Sequence, residues 1–387
     1  MLRQAQHERN VEAAAGPPVG QAIGIARVLC ILGIVYVHAW TGRDGDTLLA
    51  LSQSSGGIVR WTLIELVGRS AVPLLGAISG WLAAPSAERR GARGFARTKT
   101  RTVLAPMIAW NGIALALVSS AATWGHLRAP VPHRAAELVE WLTCATEPNP
   151  INVQIGFLRD LYLCLLVAPW LARRSDRTLG LLLLAVTAWT VSGETLTVLL
   201  RPQIALFFLA GLLARRHGLA EQVAGWRLLP TLLPYVLLAA VKILLSVEAA
   251  RWLLDHVAAA DAFDLPLRVA AAVAMWRIAL ALVPTALGRA ALGVERYAFL
   301  LFCAHLCFIW LLGPVIGLAT GPLGSSGYLP YLLVQPLLAL GATMLLGRLL
   351  IATAPRLANL LSGGRLARDL PHASSSAMEP APIGSLE

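Results

Sequence analysis

Charged residues are scarce in this sequence. Of its 387 residues, 14% are Asp, Glu, Lys or Arg, whereas 57% are hydrophobic. An average soluble domain carries about 25% charged residues. Because no soluble domain has an interior large enough to bury so much apolar surface, a soluble globular protein is excluded and a multi-span integral membrane protein is predicted.

Paired cysteines are also missing. The chain has five cysteines, and no two of them form a CxxC arrangement. Four fall inside apolar segments, and Cys144 stands alone in a loop. This spacing supports neither a zinc site nor a disulfide framework. We therefore expect no metal site and no permanently bound cofactor.

A nucleic-acid-binding pattern and a cleavable leader are absent as well. The net charge is +11, but the basic residues lie in short loops between apolar segments, where they set orientation, so no nucleic-acid partner is expected. The first 18 residues are polar, and no small-residue cleavage site follows the next apolar segment. We expect a cytoplasmic segment at 1–18 and a retained first helix.

Apolar segments long enough to cross a bilayer are abundant. A helix needs about 20 residues to span the hydrocarbon core. Ten candidate segments cover 19–40, 57–83, 102–124, 155–172, 178–200, 203–217, 228–250, 265–288, 296–320 and 327–353. The predicted fold is all-α, with about ten transmembrane helices around an internal cavity, and the alternative for 178–200 and 203–217 is one re-entrant hairpin.

The basic loops predict the orientation and the limits of the domain. The stretch AERRGARGFARTKTR at 87–101 is the most basic part of the chain, and Lys and Arg concentrate in cytoplasmic loops. Alternation of the spans then places both termini in the cytoplasm. We expect one transmembrane domain at 19–355, followed by a cytoplasmic tail at 356–387 that its Ser-, Pro-, Ala- and Gly-rich composition predicts to be disordered.

Ionisable residues inside apolar segments are costly and are functional candidates by default. Arg27 and His38 are eleven residues apart in the first segment, which is about 16 Å along a helix and nearly the same helical face. This spacing suits a long ligand that lies along the helix. The simpler interpretation of each residue alone is a side chain that reaches water at the membrane surface.

Polar residues of the second and third segments add a possible phosphate site. Arg69 lies mid-span, and Ser79 and Gly80 lie near the inner end of the same segment. Arg97 and Arg101 are four residues apart where the third segment begins, and they share a helical face. Guanidinium groups there suit phosphate binding, although a role in topology alone also explains them.

Three later candidates are less specific. Arg159 and Asp160 lie in the fourth segment, where they either orient a substrate or form a structural ion pair. His305 lies between Cys303 and Cys307 and belongs either to the site or to the packing. Its neighbours do not have the spacing of metal ligands.

These motifs, in this order, resemble the membrane-bound acyltransferase-3 family. The pair Arg27 and His38 looks like the opening motif of that family. The stretches that resemble its later landmarks are VPLLGAISGWL, RTKTRTVLAPMIAW, GFLRDLYLCLLVAPWL, FFLAGLLARR and RYAFLLFCAHLCF. The resemblance covers about 22–310. Two departures are Trp81 in place of the usual Phe, and Leu75-Gly76 in place of an aromatic pair.

The resemblance implies a multi-pass enzyme of the bacterial inner membrane. Such an enzyme takes an acyl group from cytoplasmic acyl-CoA to a sugar hydroxyl of a glycan or a lipid-linked oligosaccharide. The Phe-Leu-Arg-Asp form looks most like the exopolysaccharide O-acyltransferase branch, in which acetyl and succinyl donors both occur; we expect acetyl. The expected partners are the lipid bilayer, acyl-CoA and the glycan acceptor, and no oligomeric state is predicted.

The resemblance also implies roles for the candidate residues. His38, with Arg27, is expected to be catalytic, either as the general base or through an acyl-His intermediate. The substrate-binding candidates are Arg69, Ser79, Gly80, Arg97, Arg101, Arg159, Asp160 and His305. The main alternative function is a multi-span transporter of a glycan precursor or acyl donor, and a third is a non-catalytic scaffold.

Overall fold

The computed structural model of the chain describes residues 17–125, 130–194, 196–248 and 257–366. These residues are mostly helical and contain no β-strand. The α-helices are α1 (Pro17–Val37), α2 (Gly45–Ala50), α3 (Ser55–Thr62), α4 (Ser70–Lys99), α5 (Ala105–Gly125), α6 (Ala135–Thr143), α7 (Gly156–Leu171), α8 (Asp176–Ser192), α9 (Pro202–Arg216), α10 (Leu219–Ala224), α11 (Leu228–Glu248), α12 (Val257–Leu282), α13 (Ala286–Thr320), α14 (Tyr328–Thr353) and α15 (Pro355–Leu361). Two π-helical segments, Leu63–Arg69 and Thr100–Leu104, flank α4, and a 3-10 turn, Val153–Ile155, precedes α7.

Seven helices of the described part are long and apolar enough to cross a membrane. One of them, Ser55–Trp124, runs for 70 residues and covers two of the expected segments. Helices α8 and α9 have 17 and 15 residues, below the length of about 20 that a span requires. The all-α polytopic fold is therefore confirmed, whereas the count of ten spans stays a prediction.

The long helical stretch bends at Gly91 inside α4. Gly91 has a φ of 66° and a ψ of 164°, a backbone conformation that L side chains rarely adopt and glycine adopts freely. The bend lies within the basic stretch at 87–101. It allows the chain to leave one expected span and enter the next without a separate loop.

Helix α1 is the central helix of the bundle. It contacts α4, α12, α13, α14 and the π-helical segment Leu63–Arg69. Its residues Ala22, Ile25, Cys30 and Val35 are fully buried, and a helix that is apolar on all sides is one that neighbours surround. Because α1 is central, Arg27 at its middle and His38 just after its end both face other helices.

The described C-terminal residues pack on the bundle. Trp110 on α5 donates its indole N–H to the carbonyl of Leu361 over 3.1 Å, and Leu361, Ser362 and Leu366 are buried. The sequence analysis assigned residues 356–366 to the tail; here they form α15 and the turn after it. The remainder of the expected tail, at 367–387, and residues 1–16 lie outside the described residues.

Candidate active site

Two contacts between α1 and α13 define the axis of the site. Arg27 Nη1 lies 3.1 Å from Glu295 Oε1, and the rings of His38 and His305 have centroids 5.3 Å apart. The two contacts are eleven residues apart on α1 and ten on α13, so the helices run parallel for about 15 Å between them. As their spacing predicts, Arg27 and His38 face the same neighbouring helix.

A cationic cavity opens at the Arg27 end of this axis. Its volume is about 170 Å³. The charged residues that line it are Arg27, Lys99, Glu295, Arg296 and Arg365. Four cations against one carboxylate leave a net positive charge, and the hydroxyls of Ser79 and Ser86 lie in the same lining. Such a set of donors suits an anionic ligand with several oxygen atoms.

The other end of the cavity is closed by aromatic rings. Phe157 and Phe302 both line it, and their ring centroids are 5.6 Å apart in an edge-to-face arrangement. The ring of Phe302 is in turn 6.3 Å from that of His305. The imidazole pair therefore lies one layer of side chains beyond the cavity, and His38 is not among the described residues that line it.

His305 is held in one tautomer. Its side chain is fully buried, and Nδ1 lies 2.9 Å from the carbonyl oxygen of Phe302 and 3.1 Å from that of Leu301. Because a carbonyl oxygen only accepts, Nδ1 must carry the hydrogen and donate it. Nε2 is then a lone-pair acceptor, and it has no hydrogen-bond partner among the described residues.

Arg159 and Asp160 form a structural ion pair. Arg159 Nη1 lies 2.7 Å from Asp160 Oδ1 and also donates to the carbonyl of Val198. Nη2 donates to the carbonyls of Ala145 and Thr197. The guanidinium is thus occupied in fixing the segment before α9. These contacts match the ion-pair alternative of the sequence analysis, and a role in orienting a substrate stays a prediction.

The Arg159–Asp160 pair also holds Arg201, a cation that the sequence analysis did not single out. Asp160 accepts the main-chain N–H of Arg201 over 2.9 Å. The guanidinium groups of Arg201 and Arg69 lie near enough to His38 to act electrostatically on its ring. Arg69 is also paired with Glu65 over 2.6 Å, which offsets part of its charge. The Arg69 side chain is 53% exposed, and its role in substrate binding stays a prediction.

The other predicted residues divide between the cavity and the packing. Ser79 lines the cavity. Gly80 instead lies against α9, where a Cβ atom would be 2.0 Å from the carbonyl oxygen of Phe208. Arg97 and Arg101 are exposed and outside the cavity lining, whereas Lys99 lies within it. Two positions correspond to about 200° of helical rotation, so Lys99 faces away from its two basic neighbours.

Six residues in or next to the site were missed by the sequence analysis: Lys99, Gln154, Arg201, Glu295, Arg296 and Arg365. Glu295 lies just before the predicted segment 296–320 and next to Arg296, and this position beside a basic residue is the one signal that was available. Arg365 lay in the expected tail. Gln154 and Arg201 lie between apolar segments, where periodicity carries no information about burial.

Comparison with known proteins gives two matches in sequence. A family model described as an acyltransferase domain, that of the acyltransferase-3 family, matches residues 21–352. The chain is also 28% identical over 371 residues to the succinoglycan biosynthesis protein ExoH of Rhizobium meliloti (strain 1021), an alignment that covers 90% of this chain and 93% of that protein. No solved structure matches the chain.

Proposed function

The chain belongs to the acyltransferase-3 family and is a membrane-bound acyltransferase, and from this premise we propose that it moves an acyl group from acyl-CoA to a sugar hydroxyl of an exopolysaccharide. The relative ExoH is named for the biosynthesis of succinoglycan, which supports a glycan acceptor. We propose acetyl as the acyl group, with succinyl as the second candidate. The orientation expected from the basic loops places the donor on the cytoplasmic side of a bacterial inner membrane.

The cationic cavity supports acyl-CoA as the donor. CoA carries several phosphate groups, and Lys and Arg side chains bind phosphate through charge-assisted hydrogen bonds. Arg27, Lys99, Arg296 and Arg365 surround the cavity. The cavity is smaller than a CoA molecule, so the nucleotide lies at its mouth. The arm that carries the thioester then points inward toward Phe157 and Phe302, and these two rings must move apart for the thioester to reach His38.

His38 is the general base in this proposal. The hydroxyl oxygen of the acceptor attacks the thioester carbonyl, and its proton passes to the imidazole of His38. The carbon–sulfur bond then breaks, the CoA sulfur leaves, and the imidazolium returns the proton to it. Imidazole suits this role because its unperturbed pKa of about 6.5 leaves the neutral form available at pH 7.

An acyl-His38 intermediate is the alternative mechanism. In that case the ring nitrogen attacks the thioester first, and the acceptor hydroxyl attacks the acyl-imidazole afterwards. The two mechanisms differ in the absence of acceptor, where only the second gives an acyl-enzyme. Intact-protein mass spectrometry of the purified protein mixed with acetyl-CoA or succinyl-CoA separates them.

One observation carries the proposal. A single pair of parallel helices holds the Arg27–Glu295 contact at a cationic cavity and the His38–His305 contact one layer of side chains beyond it. This arrangement supports the proposal, because the groups proposed to bind a phosphorylated donor and the group proposed to accept a proton lie along the same helix pair. An acyl-CoA enzyme needs both. A transporter has no need of the base, so the transporter alternative is set aside.

The test is a comparison of cell-surface glycans by mass spectrometry. Cells that lack the gene are complemented with the wild-type gene, with His38→Ala or with His217→Ala, and the level of each protein in the membrane is measured by immunoblot. His217 is a matched control because it is an exposed histidine at the end of α9. We expect an acyl ester to be lost without the gene and with His38→Ala, and to be restored by wild type and by His217→Ala. Glycans with identical ester content in all strains would contradict the proposed function.

A further inference from the structure

A chain of buried amides leads from α6 to α13. Asn111 Nδ2 donates to the carbonyl of Leu142 over 2.9 Å. Asn152 Nδ2 donates to Asn111 Oδ1 over 3.3 Å, and Gln154 Nε2 donates to Asn152 Oδ1. These three amide side chains are 3% exposed or less. Next to them, burial raises the pKa of the Cys144 thiol, so the thiol stays neutral and adds no charge to the chain.

The direction of this chain is fixed at its first member. A main-chain carbonyl only accepts, so Asn111 must present its NH2 group to Leu142 and its oxygen to Asn152. The same logic then makes Asn152 a donor to Asn111 and an acceptor from Gln154. Gln154 Oε1 is left at the end of the chain as an acceptor, and it has no hydrogen-bond partner among the described residues.

The amide chain ends beside the imidazole pair. Gln154 Nε2 also lies 3.5 Å from the carbonyl oxygen of Cys303, and His305 Nδ1 lies 2.9 Å from that of Phe302. The two side chains therefore meet α13 at successive carbonyl groups. Each side chain has one remaining polar atom, Gln154 Oε1 and His305 Nε2. Both atoms are buried, both are fixed as acceptors, and neither has a donor in the described part of the chain.

We infer that Gln154 and His305 form the subsite for the acceptor sugar, and that they accept hydrogen bonds from hydroxyl groups next to the one that is acylated. Buried acceptors without donors are costly, and a ligand that satisfies them must be a donor. A sugar with neighbouring hydroxyls meets this need, whereas carboxylates and phosphates offer acceptors only. The inference rests on the proposed function, in which His38 takes the proton of the attacking hydroxyl.

Two substitutions remove the acceptor atoms. Gln154→Met keeps the length of the side chain and removes Oε1, together with the Nε2 donor to Asn152. His305→Asn keeps an N–H that can donate to the carbonyl of Phe302 and removes Nε2. Gln335→Met is the matched control, because Gln335 is a buried glutamine on α14 whose amide donates to the hydroxyl of Tyr331. Its Oε1 is likewise a buried acceptor without a partner among the described residues, so this variant tests whether the loss of any buried glutamine acceptor raises the KM.

The experiment uses the full-length protein in lipid nanodiscs. The donors are acetyl-CoA and succinyl-CoA, and the acceptor probe is a set of oligosaccharides from the de-esterified surface polysaccharide of the host cell. We expect Gln154→Met and His305→Asn each to raise the KM for the oligosaccharides about tenfold, the change typical of one lost hydrogen bond in a buried site. The KM for the donor stays within about twofold of wild type.

The outcomes separate the two proposals. If the wild-type protein transfers no acyl group from either donor, the proposed function fails. If wild type transfers the acyl group, two results would overturn the subsite. Both variants could keep the same KM for the oligosaccharides as Gln335→Met, or both could raise the KM for the oligosaccharides and the KM for the donor together. In either case the two acceptor atoms are satisfied by water alone. Should Gln154→Met fail to reach the membrane, His305→Asn decides the matter by the same measurements.

Discussion

At the scale of single residues, the cationic cavity distinguishes side chains only two positions apart. Lys99 lines the cavity, whereas Arg97 and Arg101 are exposed outside it. All three carry the same charge in the same basic stretch. Sequence spacing places Arg97 and Arg101 on one helical face, but it does not show which face meets α1. Their roles in donor binding stay a prediction, and the structure adds Lys99.

This difference gives a test with a matched control. Lys99→Ala removes a cation from the cavity, and we expect the dissociation constant for acyl-CoA to rise about tenfold or more, because a charge-assisted hydrogen bond contributes roughly 1.5–3 kcal/mol. Arg97→Ala removes an exposed cation, and its effect stays within about twofold. Titration calorimetry with the full-length protein in nanodiscs measures both. A larger effect for Arg97→Ala than for Lys99→Ala would place the phosphate groups on the outer face of the helix.

The residue scale also shows what sequence predicts well and badly. The spacing of Arg27 and His38 predicts a shared face because helical geometry alone fixes it, and the structure confirms that both meet α13. The roles of Gln154 and Glu295 follow from tertiary contacts with residues more than a hundred positions away. No local pattern specifies such contacts, so these residues could not be found in advance.

At the scale of helices, close approach between α4 and α9 depends on two glycines. A Cβ atom at Gly80 would lie 2.0 Å from the carbonyl oxygen of Phe208, and one at Gly211 would lie 2.0 Å from that of Ala77. Small residues at helix crossings are a common device of membrane proteins, since they let backbones pack closely. The sequence analysis placed Gly80 among the substrate-binding candidates, and in the structure its close neighbour is α9.

Substitution of this glycine tests the helix contact. Gly80→Ala forces α4 and α9 apart, and we expect a loss of about 1–3 kcal/mol of stability, as for other overpacked sites. Gly180→Ala is the control, because Gly180 lies within α8 with no atom within 4 Å of its Cβ position, and alanine there favours the helix by roughly 0.5–1 kcal/mol. Thermal unfolding in detergent should show a lower Tm for the first variant only. Equal melting temperatures would mean that the helices can separate without cost.

At the scale of the whole molecule, the C-terminal residues complete the cavity. Arg365 stacks on the ring of Phe299 with 3.9 Å between the guanidinium carbon and the ring centroid, and both residues line the cavity. The composition of the tail predicts disorder, but α15 carries Leu361 and the turn after it carries Leu366, and both are buried. A few apolar residues in a polar stretch are a weak signal, so the packing of this segment was not expected.

We therefore expect Arg365→Ala to weaken donor binding, although Arg365 lies far along the chain from the early motifs of the family. The dissociation constant for acyl-CoA should rise about tenfold, and Arg365→Lys should not restore it, because lysine lacks the planar group that stacks on Phe299. Arg356→Ala is the control, since Arg356 is exposed on α15. Donor binding unchanged by Arg365→Ala would show that this residue only anchors the C-terminal segment.

The central claim is that α1 and α13 align a donor-binding cavity with the imidazole of His38. Its most direct test is the rate of a single turnover from acyl-CoA to de-esterified oligosaccharide by full-length His38→Ala, measured together with the dissociation constant for the donor. The account predicts that the transfer rate falls by a factor of about 10² or more while the dissociation constant stays within about twofold of wild type. A transfer rate within about threefold of wild type, at equal donor occupancy, would contradict it.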